Sequence, residues 1–336
     1  MRKIYLLPFA LSIAFSCSRT EERGREVADL AEFPNTVFVP TMEHPLSQNK
    51  NAVYCATLLY AWDELKNTIG SPLRVDSTNR DLYLLNKSAS YVKTLMKDEY
   101  ATSVKIDGQE VGVGAKFEKS LPFGLRLMSF DDMLTFDGVK VASFGNFGEH
   151  PSGEATIEVL YYKNDNDFLI RLLPKDQDHE IYLYMTPTAS QTLGAMVEQI
   201  KAKRKAGEAE LQDGRMDWKF HLFERDVVII PKIDFNIETH YPSLEGSSLS
   251  SPTSTYNLQE SWQRIEFTLD EKGAEIESEA AVAVDSVGAV ELPRPKKMLF
   301  DKPFFLMLKR TEAENPYFCL WVANSELMRK EDISEK

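Results

Sequence analysis

With 336 residues, 43% of them hydrophobic and 27% charged, the chain is long enough to bury one large globular core. Its 39 basic against 52 acidic residues leave a formal charge of −13, which argues against a surface for nucleic acid or anionic lipid. The five histidines are scattered, and HExxH, CxxC and GxSxG patterns are missing, so no metal, cofactor or catalytic residue is expected and the chain does not read as an enzyme.

In chain order, Arg2 and Lys3 precede an apolar run from Ile4 to Phe15, broken once by Pro8. The run is too short to span a bilayer but has the length and flanks of a signal segment. It ends at Ala14-Phe15-Ser16-Cys17, which resembles a bacterial lipoprotein cleavage box. That resemblance implies a signal peptide over residues 1–16 and lipidation of Cys17. The chain would then be held to a bacterial cell envelope (outer membrane, periplasmic or surface-facing) by acyl chains, at about 0.8 kcal/mol per buried methylene. An ordinary secretory signal with an incidental cysteine is the plainer alternative. Residues 17–35 are charged, without an apolar side chain until Val27, and read as a flexible tether. Residues 36–325 read as one domain without internal repeat or linker, and residues 326–336 as a charged tail.

NAVYCATLLYAWDEL (51–65) reads as a strand leading into a helix. Cys55 and Cys319 both sit in apolar strand-like runs and read as buried small hydrophobes, with a bridge left open by an oxidising compartment. GVGAKF (112–117) has Phe117 where a third glycine would stand, and so fails as a dinucleotide loop. IEVLYYKNDNDFLIRLLPKD (157–176) reads as paired strands. SQTLGAMVEQI (190–200) is a helical pattern, and the basic cluster KAKRKAG (201–207) reads as its solvated end, where cations suit the helix dipole. VVIIPKIDFNIE (227–238) reads as a strand, SSLSSPTST (247–255) as a flexible loop, and Trp62, Trp218 and Trp262 as core.

The stretch from 262 to 310 carries the most information. Ile265 to Leu269 alternates as a strand, and an acidic turn closed by Gly273 follows. On one parity then lie Ala274, Ile276, Ser278, Ala280, Val282 and Val284. On the other lie Glu275, Glu277 and Glu279, then two alanines and Asp285. In β geometry this segment has one face fit for a sheet interior and one fit for water. The same residues have good helix propensity. Leu292-Pro293-Arg294-Pro295-Lys296-Lys297 interrupts the pattern before a second strand, PFFLML.

Together, and in this order, these motifs resemble the serpin family. DEKGAE (270–275) is similar to its hinge, and FDKPFFLMLKR with PYFCLWVAN to its C-terminal strand pair. VVIIPKIDFNIE is similar to the strand with a Leu-Pro-Lys-Phe core, and GVGAKF falls near the Asn-Ala-aromatic strand. The similarity runs patchily from Asn51 to Asn324 and is firm after Val227. It implies an α+β fold of several mainly antiparallel sheets with surrounding helices and an exposed reactive loop. It implies a monomeric, single-use inhibitor whose partner is a serine or cysteine protease, elastase-like or of broad specificity. Glu271 and Gly273 would form the hinge, and Ala274, Ile276, Ser278 and Ala280 the inserting face. Val287–Gly288 would be the scissile bond, fourteen residues after Gly273, with Ala289 or Val290 as alternatives. Three departures stand against this. Cys55-Ala56-Thr57-Leu58 replaces the family's Ser-Pro-x-Ser, Gln263 replaces a His beneath the sheet, and the region from Asn67 to Gly112 is short. They imply loss of the polar latch over which the sheet opens. A non-inhibitory, serpin-fold envelope lipoprotein acting as a binding module is the alternative.

Overall fold

A computed structural model describes residues 26–147, 151–273 and 294–330. The chain forms β1 (Ala28–Asp29), β2 (Thr36–Phe38), β3 (Asn51–Cys55), α1 (Thr57–Ile69), β4 (Arg74–Val75), α2 (Arg80–Lys87), β5 (Tyr100–Asp107), β6 (Glu110–Glu118), β7 (Met128–Phe136) and β8 (Val139–Phe147). It continues with α3 (Pro151–Thr156), β9 (Ile157–Asn164), β10 (Asp167–Leu172), β11 (His179–Met185), α4 (Leu193–Asp213), β12 (Val227–Pro231), β13 (Ile233–His240), β14 (Ser247–Ser250) and β15 (Thr255–Leu269). The last strands are β16 (Lys297–Leu299), β17 (Phe304–Arg310) and β18 (Phe318–Val322). The fold is α+β, and among the described residues three sheets pair mainly antiparallel.

The longest strand, β15, is the spine of the first sheet. From Ser261 to Leu269 its odd-numbered side chains are buried and its even-numbered ones half-buried, the period of two that a sheet between core and water imposes. β13 and β14 pair antiparallel along one side of β15. Along the other side β6 runs parallel to it, and β5 is antiparallel to β6. The second sheet has the order β2-β3-β18-β17-β11-β10-β9, and the third the order β16-β12-β8-β7. Stacked aromatics join the first two sheets: Phe117 of β6 and Phe267 of β15 both lie on Phe318 of β18, at 6.3 and 4.7 Å between ring centroids. α1 packs on β5 and β6 because Leu58, Leu59, Ala61, Trp62 and Leu65 repeat at helical spacing and are all buried.

Four expectations change. The Ser-rich stretch is only partly a loop: Ser247–Ser250 is a strand, tied to the start of β15 in an antiparallel hairpin whose turn is formed by residues 251–254. KAKRKAG lies in the middle of α4, because the helix-forming GEAELQD continues it as far as Gly214. Within it Lys203 pairs with Asp167 at 2.9 Å and Arg204 with Glu208 at 2.9 Å. Of the three tryptophans expected in the core, Trp62 is fully buried, whereas Trp218 and Trp262 are half-buried. Ordered chain also reaches beyond 36–325 at both ends. Ala28 and Asp29 pair with β13, Glu326 accepts hydrogen bonds from Asn35 and Thr36, and Met328 bridges to Ile233.

Cys55 is paired across strands with Phe318, and Cys319 with Tyr54. Neighbouring residues on a strand face opposite ways, so the two thiols stand on opposite faces of the second sheet and cannot form a bridge. Both are buried, as expected of small hydrophobes, and burial pushes the Cys55 thiol up to about 12.

Candidate functional site

The site lies where β15 ends and residues 274–293 begin. Leu269 is followed by a tight turn in which Gly273 N–H donates to the Asp270 carbonyl at 3.1 Å and Lys272 N–H to Asp270 Oδ1 at 2.9 Å. Gly273 has φ +91°, and a Cβ there would lie 2.5 Å from Phe123 N and 2.6 Å from the Leu121 carbonyl oxygen. Only glycine fits, for conformation and for space. The turn is stitched to the chain leaving β6: Phe123 N–H donates to the Lys272 carbonyl and Leu127 N–H to the Glu271 carbonyl, each at 2.9 Å. The root of the segment therefore sits at the end of the junction between β15 and β6.

Glu271 anchors this root. It is 5% exposed, with Arg126 Nη2 at 2.6 Å from one oxygen and Lys232 Nζ at 2.6 Å from the other. Lys232 also donates to Ser129 Oγ at 2.8 Å. Burial alone would raise the carboxyl's pKa, but Lys232 and Arg126 outweigh it and hold it down at about 2. Asp270, in the same turn, is shifted up, chiefly by burial.

The junction itself is a parallel pair, from Asn257 opposite Glu110 to Glu266 opposite Glu118. Beneath it, Gln263 is 1% exposed and fully engaged. Its Oε1 accepts from Tyr241 Oη at 2.7 Å, and its Nε2 donates to the Cys55 carbonyl at 3.1 Å and to Thr57 Oγ1 at 2.7 Å. The expected loss of the polar latch is thus corrected. Gln263 and Thr57, which stands at the open position of the family's Ser-Pro-x-Ser, meet each other and tie β15 to the start of α1. An amide can replace an imidazole here because it too offers one acceptor and a donor.

Beyond the segment the chain is fastened again. Lys296 is 1% exposed, and its Nζ lies 2.5 Å from Asp226 Oδ2. It also donates to the carbonyls of Trp218 at 3.0 Å and His221 at 2.8 Å, beneath the rings of Trp218 and Phe223. Asp226 Oδ1 accepts the Lys296 N–H at 2.7 Å, and β16 then pairs parallel with β12.

Of the residues expected to act, the structure places Glu271 and Gly273 together at the root. Ala274, Ile276, Ser278, Ala280, Val287, Gly288 and Cys17 lie outside the described residues. Sequence reasoning missed Arg126, Lys232, Asp226 and the burial of Lys296. The one available signal was positional: Lys232 and Lys296 each follow a proline beside an apolar strand.

No protein-family model matches the chain, and no curated protein matches it. Solved serpins are similar to it in fold. The thermophilic serpin tengpin in its native state aligns over 66% of this chain and 57% of its own, at 14% identity and a TM-score of 0.41. Mouse protein-Z-dependent protease inhibitor aligns over 66% and 57%, at 13% identity and a TM-score of 0.37. A serpin from the trematode Schistosoma haematobium aligns over 65% and 58%, at 11% identity and a TM-score of 0.40. The chain thus spans somewhat under three fifths of the length of these serpins.

Proposed function

We propose that the chain is a serpin-like protease trap that works by loop cleavage and strand insertion. The observation that carries this reading is the parallel β6–β15 pair, lying beside the root of residues 274–293. A strand that turns back at Gly273 runs antiparallel to β15. Placed between β15 and β6 it is antiparallel to both, and one parallel ladder becomes two antiparallel ones, with their backbone hydrogen bonds gained. The alternation from Ala274 to Val284 suits such a strand, with the neutral parity inward and the glutamates toward water.

In the proposed reaction, the protease nucleophile attacks the Val287 carbonyl, the C–N bond to Gly288 breaks, and the Gly288 amine leaves with a proton. The acyl bond to Val287 then ties the enzyme to the inserting arm. Small residues surround Val287, which suits a shallow apolar specificity pocket rather than a deep acidic one. The basic alternatives fit poorly, since Arg294 precedes a proline and Lys296 is buried.

The test is incubation with an elastase-like protease, followed by denaturing electrophoresis and mass measurement. The expected products are a detergent-stable covalent complex and a C-terminal fragment starting at Gly288 or within three residues of it. The loop-nicked protein should unfold at a much higher temperature than the intact one. Clean cleavage without a complex and without that rise would mark a passive loop and the non-inhibitory binding protein.

A further inference from the structure

The two glycines of GVGAKF lie on the outer face of β6. Val111, Val113, Ala115 and Phe117 point into the core, so the alternate positions Gly112 and Gly114 lie on the opposite face of the strand, where both are nonetheless buried under neighbouring side chains. Opposite them in register stand Glu260 and Trp262 of β15. A Cβ on Gly114 would lie 2.5 Å from Trp262 Cζ2, so the indole occupies the space that any side chain at 114 would need. Lys116 Nζ stands 6.0 Å from the same ring. One rung along, Lys105 of β5 is in register with Gly112, and its Nζ reaches Glu260 Oε2 at 3.4 Å. This ion pair crosses from β5 over Gly112, which is buried beneath it, to β15.

We propose that Trp262, seated on Gly114, is a positioning residue that holds the β6–β15 seam shut from its outer face, with Lys105–Glu260 as a weaker second strap. The inference rests on the insertion reading above and adds the step that must precede it. No strand can enter between β6 and β15 until the indole leaves its glycine. The ion pair is largely exposed and contributes little, so the indole decides. Gln263, the next residue, is fixed to α1 from below, so the two faces of the seam are fastened at successive rungs.

Hydrogen exchange read by mass spectrometry tests this on the intact chain, comparing Trp262→Ala, Gly114→Ala, the double variant and Trp262→Phe. Peptides over 111–117 and 258–266 should exchange about tenfold faster in each alanine variant, the scale of a lost half-buried aromatic contact. Peptides over 139–147 and 227–231, in the third sheet, should be unchanged. The double variant should be no faster than either single one, because both act through the same contact. Trp262→Phe should recover most of the protection. Wild-type exchange in Trp262→Ala would overturn the proposal, as would an equal acceleration in the third sheet, which marks general destabilisation. The unfolding midpoint of the nicked wild type separates the two readings. Without a rise on nicking, faster seam exchange in Trp262→Ala discards insertion and keeps the gate. A rise with unchanged exchange discards the gate alone.

Discussion

At the scale of single residues, Glu271 sets how the root of the loop responds to acid. Its folded pKa of about 2 lies below the ordinary 4.5, because Lys232 and Arg126 stabilise the charged form. Its contribution is therefore present in full above pH 4.5 and is lost as pH falls toward 2. Glu271→Gln should lower stability by roughly 2–3 kcal/mol at neutral pH, since Lys232 is left buried without its carboxylate. The difference from wild type should shrink across that acid window. Thermal unfolding of both proteins between pH 7 and pH 2 checks this, and parallel curves would remove the assignment. Gly273 was legible in the sequence because a turn after a strand is a local pattern. The partners of Glu271 were not, for Arg126 is 145 residues away along the chain. Gln263 and Thr57 are 206 apart, so the contact that joins them was not readable from either segment alone.

At the scale of elements, the alternation after Gly273 makes parity the quantity to test. Ala274→Arg would carry a guanidinium into the sheet interior as the first inward side chain, at a cost of several kcal/mol. It should turn a trap into a substrate. Glu275→Arg, on the wet parity, should leave most of the trapping intact. The yield of covalent complex against cleaved protein measures both, and equal losses would discard the parity argument. Elements defined by a period of two or by apolar helical spacing, such as β15 and α1, were readable from sequence. The Ser-rich β14 was not, because its strand character comes from pairing with the start of β15 rather than from propensity. The length of α4 was misjudged for another reason: its apolar spacing fades at the basic stretch, while the helix-forming GEAELQD carries the helix on to Gly214.

At the scale of the whole molecule, the first seventeen residues bear on where the protein would be held. We propose that Cys17 becomes the acylated N-terminus, on the strength of the Ala14-Phe15-Ser16-Cys17 box after a short apolar run. Expressed in a Gram-negative host, the full chain should enter the detergent phase, and Cys17→Ala should be unacylated and remain in the aqueous phase. Identical processing and partitioning of the two would remove the anchor. The other two thiols bear on the life of the protein differently. Cys55 and Cys319 face away from each other across one sheet, both deep in the core. The domain can therefore reach the same covalent state in a reducing cytoplasm and in an oxidising envelope. Folding of the described domain does not depend on joining these two thiols, whatever the redox poise around it.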